Sequence, residues 1–171
     1  MLDFLFRRLT AEPPRGAALF ESVTTIARQP HWYVEGKVPD SLDGRFAVLA
    51  TVTALVLVRL EADDMAGDAV SVALTERFIH VMESEHRELG LGDPTLGKTV
   101  RRLVGSLAAR TELWRSAASG ETPWASAVAA SLYEPAGVAP DALEHSQAAL
   151  ERLWATLGKA GLADIEEGRV N

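Results

Sequence analysis

Apolar residues recur at helical spacing along nearly the whole chain. Leu19, Val23, Ile26 and Ala27 fall on one face of a helix expected over Ala17–Gln29, with Phe20 widening the stripe. Pro30 ends it, because the residue before a proline is pushed out of the α region. Asp40-Ser41-Leu42-Asp43 supplies capping residues for a second helix, expected from about Gly44 to Glu61. Val48, Leu49, Val52, Leu55, Val56, Leu57 and Leu60 cover most of its circumference, the mark of a central, buried element. Its β-branched content also suits a strand, but its length and helical neighbours favour a helix.

Asp63–Asp68 reads as a turn, followed by a helix over Ala69–Leu89 with Val70, Leu74, Phe78, Val81 or Met82, and Leu89 facing inward. Gly90 suits a C-terminal cap, and Asp93-Pro94 opens the longest helix with a capping carboxylate and a proline at the first position. Its core face runs from Leu96 through Leu103 and Leu107 to Trp114, and it ends near Ser119-Gly120. Thr122-Pro123 starts a short helix carrying Trp124, Val128 and Leu132, and a last helix begins near Pro140 with Leu143, Leu150, Leu153, Trp154 and Leu157 in one stripe. No stretch reads as a strand. The expected fold is all-α, a single-domain bundle of about six helices.

Two regions stand outside this pattern. The connection His31–Val38 is long for a helical protein and carries Trp32 and Tyr33; such loops are functional or packed down by their own side chains. Arg45 and Arg59 border the central helix, where each is expected to reach the surface along its stem, and Arg45, beside the loop, is also a candidate partner-facing arginine. Met1–Leu9 is apolar and then basic. It reads either as a docked short helix or as a membrane-surface contact, with Phe4, Leu5 and Leu9 dipping in and Arg7 and Arg8 on anionic lipid.

Composition narrows the chemistry. The 24 acids against 17 bases leave a net charge of −7, which disfavours nucleic-acid binding by the surface as a whole. With no cysteine in 171 residues, disulfides, thiolate metal sites and cysteine nucleophiles are excluded. The first residues lack the basic-then-apolar order of a secretory signal, so a cytoplasmic protein is expected. The longest uncharged, mostly apolar run, Phe46–Val58, is shorter than the ~20 residues that span a bilayer.

Three constellations carry candidate chemistry. Gly92–Thr99 matches G-x-x-x-x-G-K-[ST], so a nucleotide-binding enzyme using Lys98 and Thr99 is the rival reading. That chemistry needs a strand feeding the loop, and charged Glu83–Glu88 precedes it instead. Glu83-Ser84-Glu85-His86 is an E-x-x-H, the half-motif of a di-metal bundle, with no second copy; a solvated helix face is the alternative. Lys98, Arg101 and Arg102 follow Asp93 in the early turns of their helix, where cations oppose the dipole, so they suit an anionic partner or a solvated face. No catalytic residue, metal or cofactor is expected.

Taken together, these residues resemble the ubiquinol–cytochrome c chaperones. The likeness starts at Ala27-Arg28-Gln29-Pro30 with Trp32-Tyr33 and continues through Val38-Pro39-Asp40-Ser41-Leu42-Asp43-Gly44-Arg45-Phe46 and Leu57-Val58-Arg59-Leu60. It is strongest over Arg87-Glu88-Leu89-Gly90-Leu91-Gly92-Asp93-Pro94-Thr95-Leu96-Gly97-Lys98 and runs on to Arg110 and Leu132-Tyr133. In that family the glycine-rich turn carries Gly-Asp and then Gly-Lys, so Thr99 completes the nucleotide pattern by accident. The resemblance implies a helical, non-enzymatic assembly factor for cytochrome b of the bc1 complex, peripheral on the inner face of the cytoplasmic membrane. It also implies contacts with nascent cytochrome b and the ribosome, alongside the anionic lipid surface suggested above; a generic helical interaction module is the further alternative. The residues expected to meet a partner are Trp32, Tyr33, Asp40, Arg45, Asp93, Lys98, Arg101 and Arg102. The expected organisation is an N-terminal segment (1–15), a helical core (16–135) and a C-terminal helix with tail (136–171).

Overall fold

The central helix begins where its sequence offers a cap. The Ser41 hydroxyl accepts a hydrogen bond from the Gly44 amide at 3.1 Å, satisfying one of the amides that a helix start leaves open. The helix therefore starts at Leu42, before the position expected from its apolar pattern, and runs to Leu60. The structure, a computed structural model, describes residues 16–88, 93–133 and 137–170, and contains no strand among them. In chain order the elements are α1 (Ala17–Ala27), α2 (His31–Val34), α3 (Leu42–Leu60), a 3-10 turn (Glu61–Asp63), α4 (Asp64–Glu88), α5 (Asp93–Ala118), α6 (Trp124–Leu132), α7 (Pro140–Lys159) and α8 (Leu162–Glu166). Six of the described helices have nine residues or more, the bundle that the apolar periodicity predicts. The short α2 and α8 were not signalled by that periodicity.

α3 is the axis of the bundle. Val48, Val52, Leu55, Val56 and Leu60 are buried, and α1, α4, α5, α6 and α7 all pack against this helix. A single core cluster joins them to Leu19 and Val23 of α1, Leu74 and Phe78 of α4, Leu103, Leu107 and Trp114 of α5, Val128 of α6, and Leu150 and Leu157 of α7. Each such side chain contributes about 1.5–3 kcal/mol by leaving water. Trp114 meets Trp124 edge to face with ring centroids 5.1 Å apart, which fixes the start of α6 against the end of α5.

Three local expectations change. Asp63–Asp68 is not a turn: the chain reverses within the 3-10 turn and at Asp64 (φ 49°), and Asp64–Asp68 already belong to α4. Acids favour a helix N-terminus, so this acidic stretch starts the helix instead of delaying it. Gly67 serves that close turn, since a Cβ there would lie 2.0 Å from the Leu60 carbonyl oxygen. The connection after Pro30 is not open loop either, because α2 folds within it and buries Trp32.

Arg59 is the third change. Its guanidinium donates to the Leu157 and Ala160 carbonyls at 2.9 and 2.8 Å and pairs with Asp63 at 2.5 Å. The head group therefore closes the C-terminal end of α7, where free carbonyls and the negative end of the dipole gather, and does not reach open solvent. Only 14% of the side chain is exposed, so Arg59→Met strands the Ala160 carbonyl and the Asp63 carboxylate and leaves the Leu157 carbonyl with the Ala160 amide alone. It should cost about 2–4 kcal/mol, seen as a lower urea midpoint at unchanged slope.

Candidate functional site

Two helices present matching stripes at i, i+4, i+7. On α1 these are Phe20, Thr24 and Ala27; on α3 they are Leu42, Phe46 and Leu49. Between them opens a groove of about 630 Å³. Pro30 and Val34 form its α2 side, Val81 and Met82 line it from α4, and Leu103 does so from α5. Its polar edge carries Arg28, Asp40, Asp43, Arg45 and Arg102. Val34 and Leu42, both lining the groove, are 57% and 61% exposed, so two large apolar side chains stand open to solvent beside one apolar cleft.

The edge is built by a close approach. A Cβ on Gly44 would stand 1.9 Å from the Pro39 carbonyl oxygen, so only glycine lets residues 38–41 lie on the first turn of α3. That contact brings Asp40 to Arg45, with Oδ1 and Nε 2.7 Å apart. The hydrogen bond from Arg45 holds the Asp40 carboxyl below its ordinary range, and Asp40 in turn holds the Arg45 guanidinium above its own. Both groups stand in water, so the pair orients the rim and adds little stability.

Beneath the rim the site is rigid. The Trp32 indole N–H donates to the Ile26 carbonyl at 2.8 Å and the Tyr33 hydroxyl to the Ala27 carbonyl at 3.0 Å, so the α2 wall hangs from the last turn of α1. Burial raises the Tyr33 phenol above its ordinary pKa, keeping it a neutral donor. Phe46 packs on Phe78 and lies 5.8 Å beneath the Arg110 guanidinium. Arg110 donates to Ser106 and to the Ser131 carbonyl, and burial pushes its guanidinium below the ordinary arginine range.

A histidine pair ties the same wall to α7. His31 Nδ1 lies 3.1 Å from His145 Nε2, and His31 Nε2 lies 3.0 Å from Gln29 Oε1. Gln29 Oε1 can only accept, so His31 Nε2–H donates to it and His31 Nδ1 accepts from His145 Nε2–H. Burial, and then His145, lower the His31 pKa, with Glu35 opposing and Arg152 assisting. A base whose folded pKa lies below its unfolded value of 6.5 stabilises the fold above that value and loses the contribution as pH falls through it. The melting temperature should therefore drop on acidification from pH 7.5 to 5.5, and His145→Gln should flatten that drop.

Of the residues expected to meet a partner, Tyr33, Asp40, Arg45 and Arg102 line this one groove. Trp32, 2% exposed, supports the groove from beneath and offers no surface. Lys98 and Arg101 are exposed on the same α5 face as Arg102, outside the groove. Since α5 begins at Asp93, Lys98 is in its second turn and Arg101 and Arg102 are in its third, beyond the amides of the helix start. The Asp93 side chain, the Gly90 and Gly92 turn, the His86 side chain and the segment 1–15 lie outside the described residues. The nucleotide reading needs a loop over Gly92–Thr99 fed by a strand. Asp93–Thr99 are helical instead, and no strand precedes them among the described residues. No group of three or more metal-ligating side chains occurs among the described residues.

Sequence reasoning missed Phe20, Arg28 and Leu49. The groove stripes have the spacing of core positions, and only the exposure of Val34 and Leu42 separates a groove from a core.

Comparison with known proteins gives two findings. The family described as ubiquinol–cytochrome C chaperone matches residues 34–170, which takes in the rim, the α3 stripe, α5 and the C-terminal helix. The crystal structure of the Cbp3 homolog from Brucella abortus superposes with a TM-score of 0.74 at 24% identity, covering 98% of this chain and 94% of that one; this likeness is one of fold. No curated protein matches the chain.

Proposed function

The chain belongs to the ubiquinol–cytochrome c chaperone family, and on that premise we propose that it is a non-enzymatic assembly factor that holds cytochrome b of the bc1 complex in the α1–α3 groove. The observation that carries the reading is the groove itself: a preformed apolar cleft with Val34 and Leu42 exposed at its mouth. A membrane-protein client has apolar segments to shield before it meets its partner subunits, and a cleft of this size shields several side chains at once. The core (16–135) carries the groove, and the C-terminal span (136–171) braces it through His145.

No described helix is long and apolar enough to cross a membrane. We place the protein peripherally on the inner face of the cytoplasmic membrane, where newly made cytochrome b emerges, with the ribosome and anionic lipid as neighbours. Lys98 and Arg101 are the side chains suited to such contacts, which should weaken with added salt. The test is a photo-crosslinking amino acid at Leu42 in growing cells. A cytochrome b adduct, together with loss of assembled bc1 complex on gene deletion, is the expected result. Normal bc1 levels without the gene would end the reading.

A further inference from the structure

We propose that the groove recognises a particular kind of segment: an amphipathic helix whose apolar stripe is flanked by carboxylates. The inference rests on the groove being the client site and adds the chemistry by which a client is chosen. The apolar walls explain affinity for any greasy segment. They do not explain the arginines.

Three arginines stand at the edge, on three different elements: Arg28 at the end of α1, Arg45 on α3 and Arg102 on α5. Arg45 is occupied by Asp40. Arg28 and Arg102 are exposed and have no carboxylate partner among the described residues. Three other described arginines are paired: Arg59 with Asp63, Arg115 with Glu61 and Glu112, and Arg169 with Asp164 and Glu167. In a chain of net charge −7, two guanidiniums with no carboxylate among the described residues stand beside one apolar groove, a charge pattern that an acidic segment would complement. A guanidinium meets a carboxylate with two parallel hydrogen bonds, which fixes orientation as well as sign.

The shape favours a peptide over a lipid surface. The arginines lie on separate elements around a concave cleft, so anionic groups are met on more than one side of an apolar strip. A helix with acidic residues bordering its apolar face supplies that arrangement. A bilayer presents headgroups in one plane and would leave the concave floor uncovered.

The test uses two synthetic amphipathic helices with the same leucine face, one flanked by glutamates and the other by glutamines, titrated by fluorescence anisotropy. The full-length protein should bind the glutamate peptide about tenfold or more tightly than the glutamine peptide at low salt, given the strength of charge-assisted hydrogen bonds. The preference should vanish in Arg28→Gln/Arg102→Gln, whose melting temperature should stay at the wild-type value because both side chains are exposed. Equal binding of the two peptides would overturn the proposal, as would binding of neither. Co-sedimentation with anionic vesicles that is lost in the double variant and not displaced by the glutamate peptide would also overturn it, in favour of lipid. Failure here is separable from failure of the client reading: a cytochrome b adduct at Leu42 without charge preference sinks only the present inference.

Discussion

Trp32→Ala should lower the melting temperature by on the order of 10 °C, the largest loss expected from one substitution near the groove. The indole is 2% exposed and belongs to the same core cluster as Leu19 and Val23. Truncating a buried tryptophan removes its transfer energy and leaves a cavity, together about 3–5 kcal/mol. It also removes the indole N–H bond to the Ile26 carbonyl at 2.8 Å, leaving that oxygen with the Gln29 amide at 3.2 Å. α2 is too short to hold itself, having four residues and no side-chain cap, so its position depends on this anchor. The groove wall formed by Tyr33 and Val34 should loosen with it. Trp32→Phe separates the two parts: it keeps most of the volume and loses the hydrogen bond, so its loss should be about 1 kcal/mol. If Trp32→Ala melts within a few degrees of wild type, α2 is held by its other bonds and the anchor is unimportant.

Trp32 also shows where reading the sequence stops. Helix existence was legible wherever a cap or proline met an apolar stripe: Ser41 before α3, Asp93-Pro94 before α5, Pro140 before α7. These signals are local, and local chemistry decides them. Trp32 sits among polar and turn-forming residues, so its burial depends on α1 folding back over it, which no period reveals. Arg59 is harder still, because the carbonyls it closes belong to α7, roughly a hundred positions away. The groove divides in the same way. Tyr33, Asp40, Arg45 and Arg102 were singled out for aromatic or charged character near a loop or a helix start, and the fold brings them to one cleft. Phe20 and Leu49 have core spacing, and that they line a cleft follows from how the helices pack and not from the pattern.

Leu42→Asp should abolish bc1 assembly and leave the fold intact. The side chain is 61% exposed, so little buried area is lost. Leu42 is the first residue of α3, behind the Ser41 cap, and a carboxylate there meets the positive end of the helix dipole. That contribution is about 0.3–1 kcal/mol in favour of the folded state, so the melting temperature should hold or rise slightly. Function should respond in the opposite direction. The groove mouth would lose one of its two projecting apolar groups and gain a negative charge beside Asp40 and Asp43, and a client helix flanked by carboxylates would be repelled from that rim. Membranes from cells carrying only Leu42→Asp should therefore contain assembled bc1 complex at the level of the gene deletion, while Leu42→Met keeps the wild-type level. A well-folded Leu42→Asp protein that supports normal assembly would remove the groove from consideration. The client surface would then have to be the exposed α5 face that carries Lys98 and Arg101.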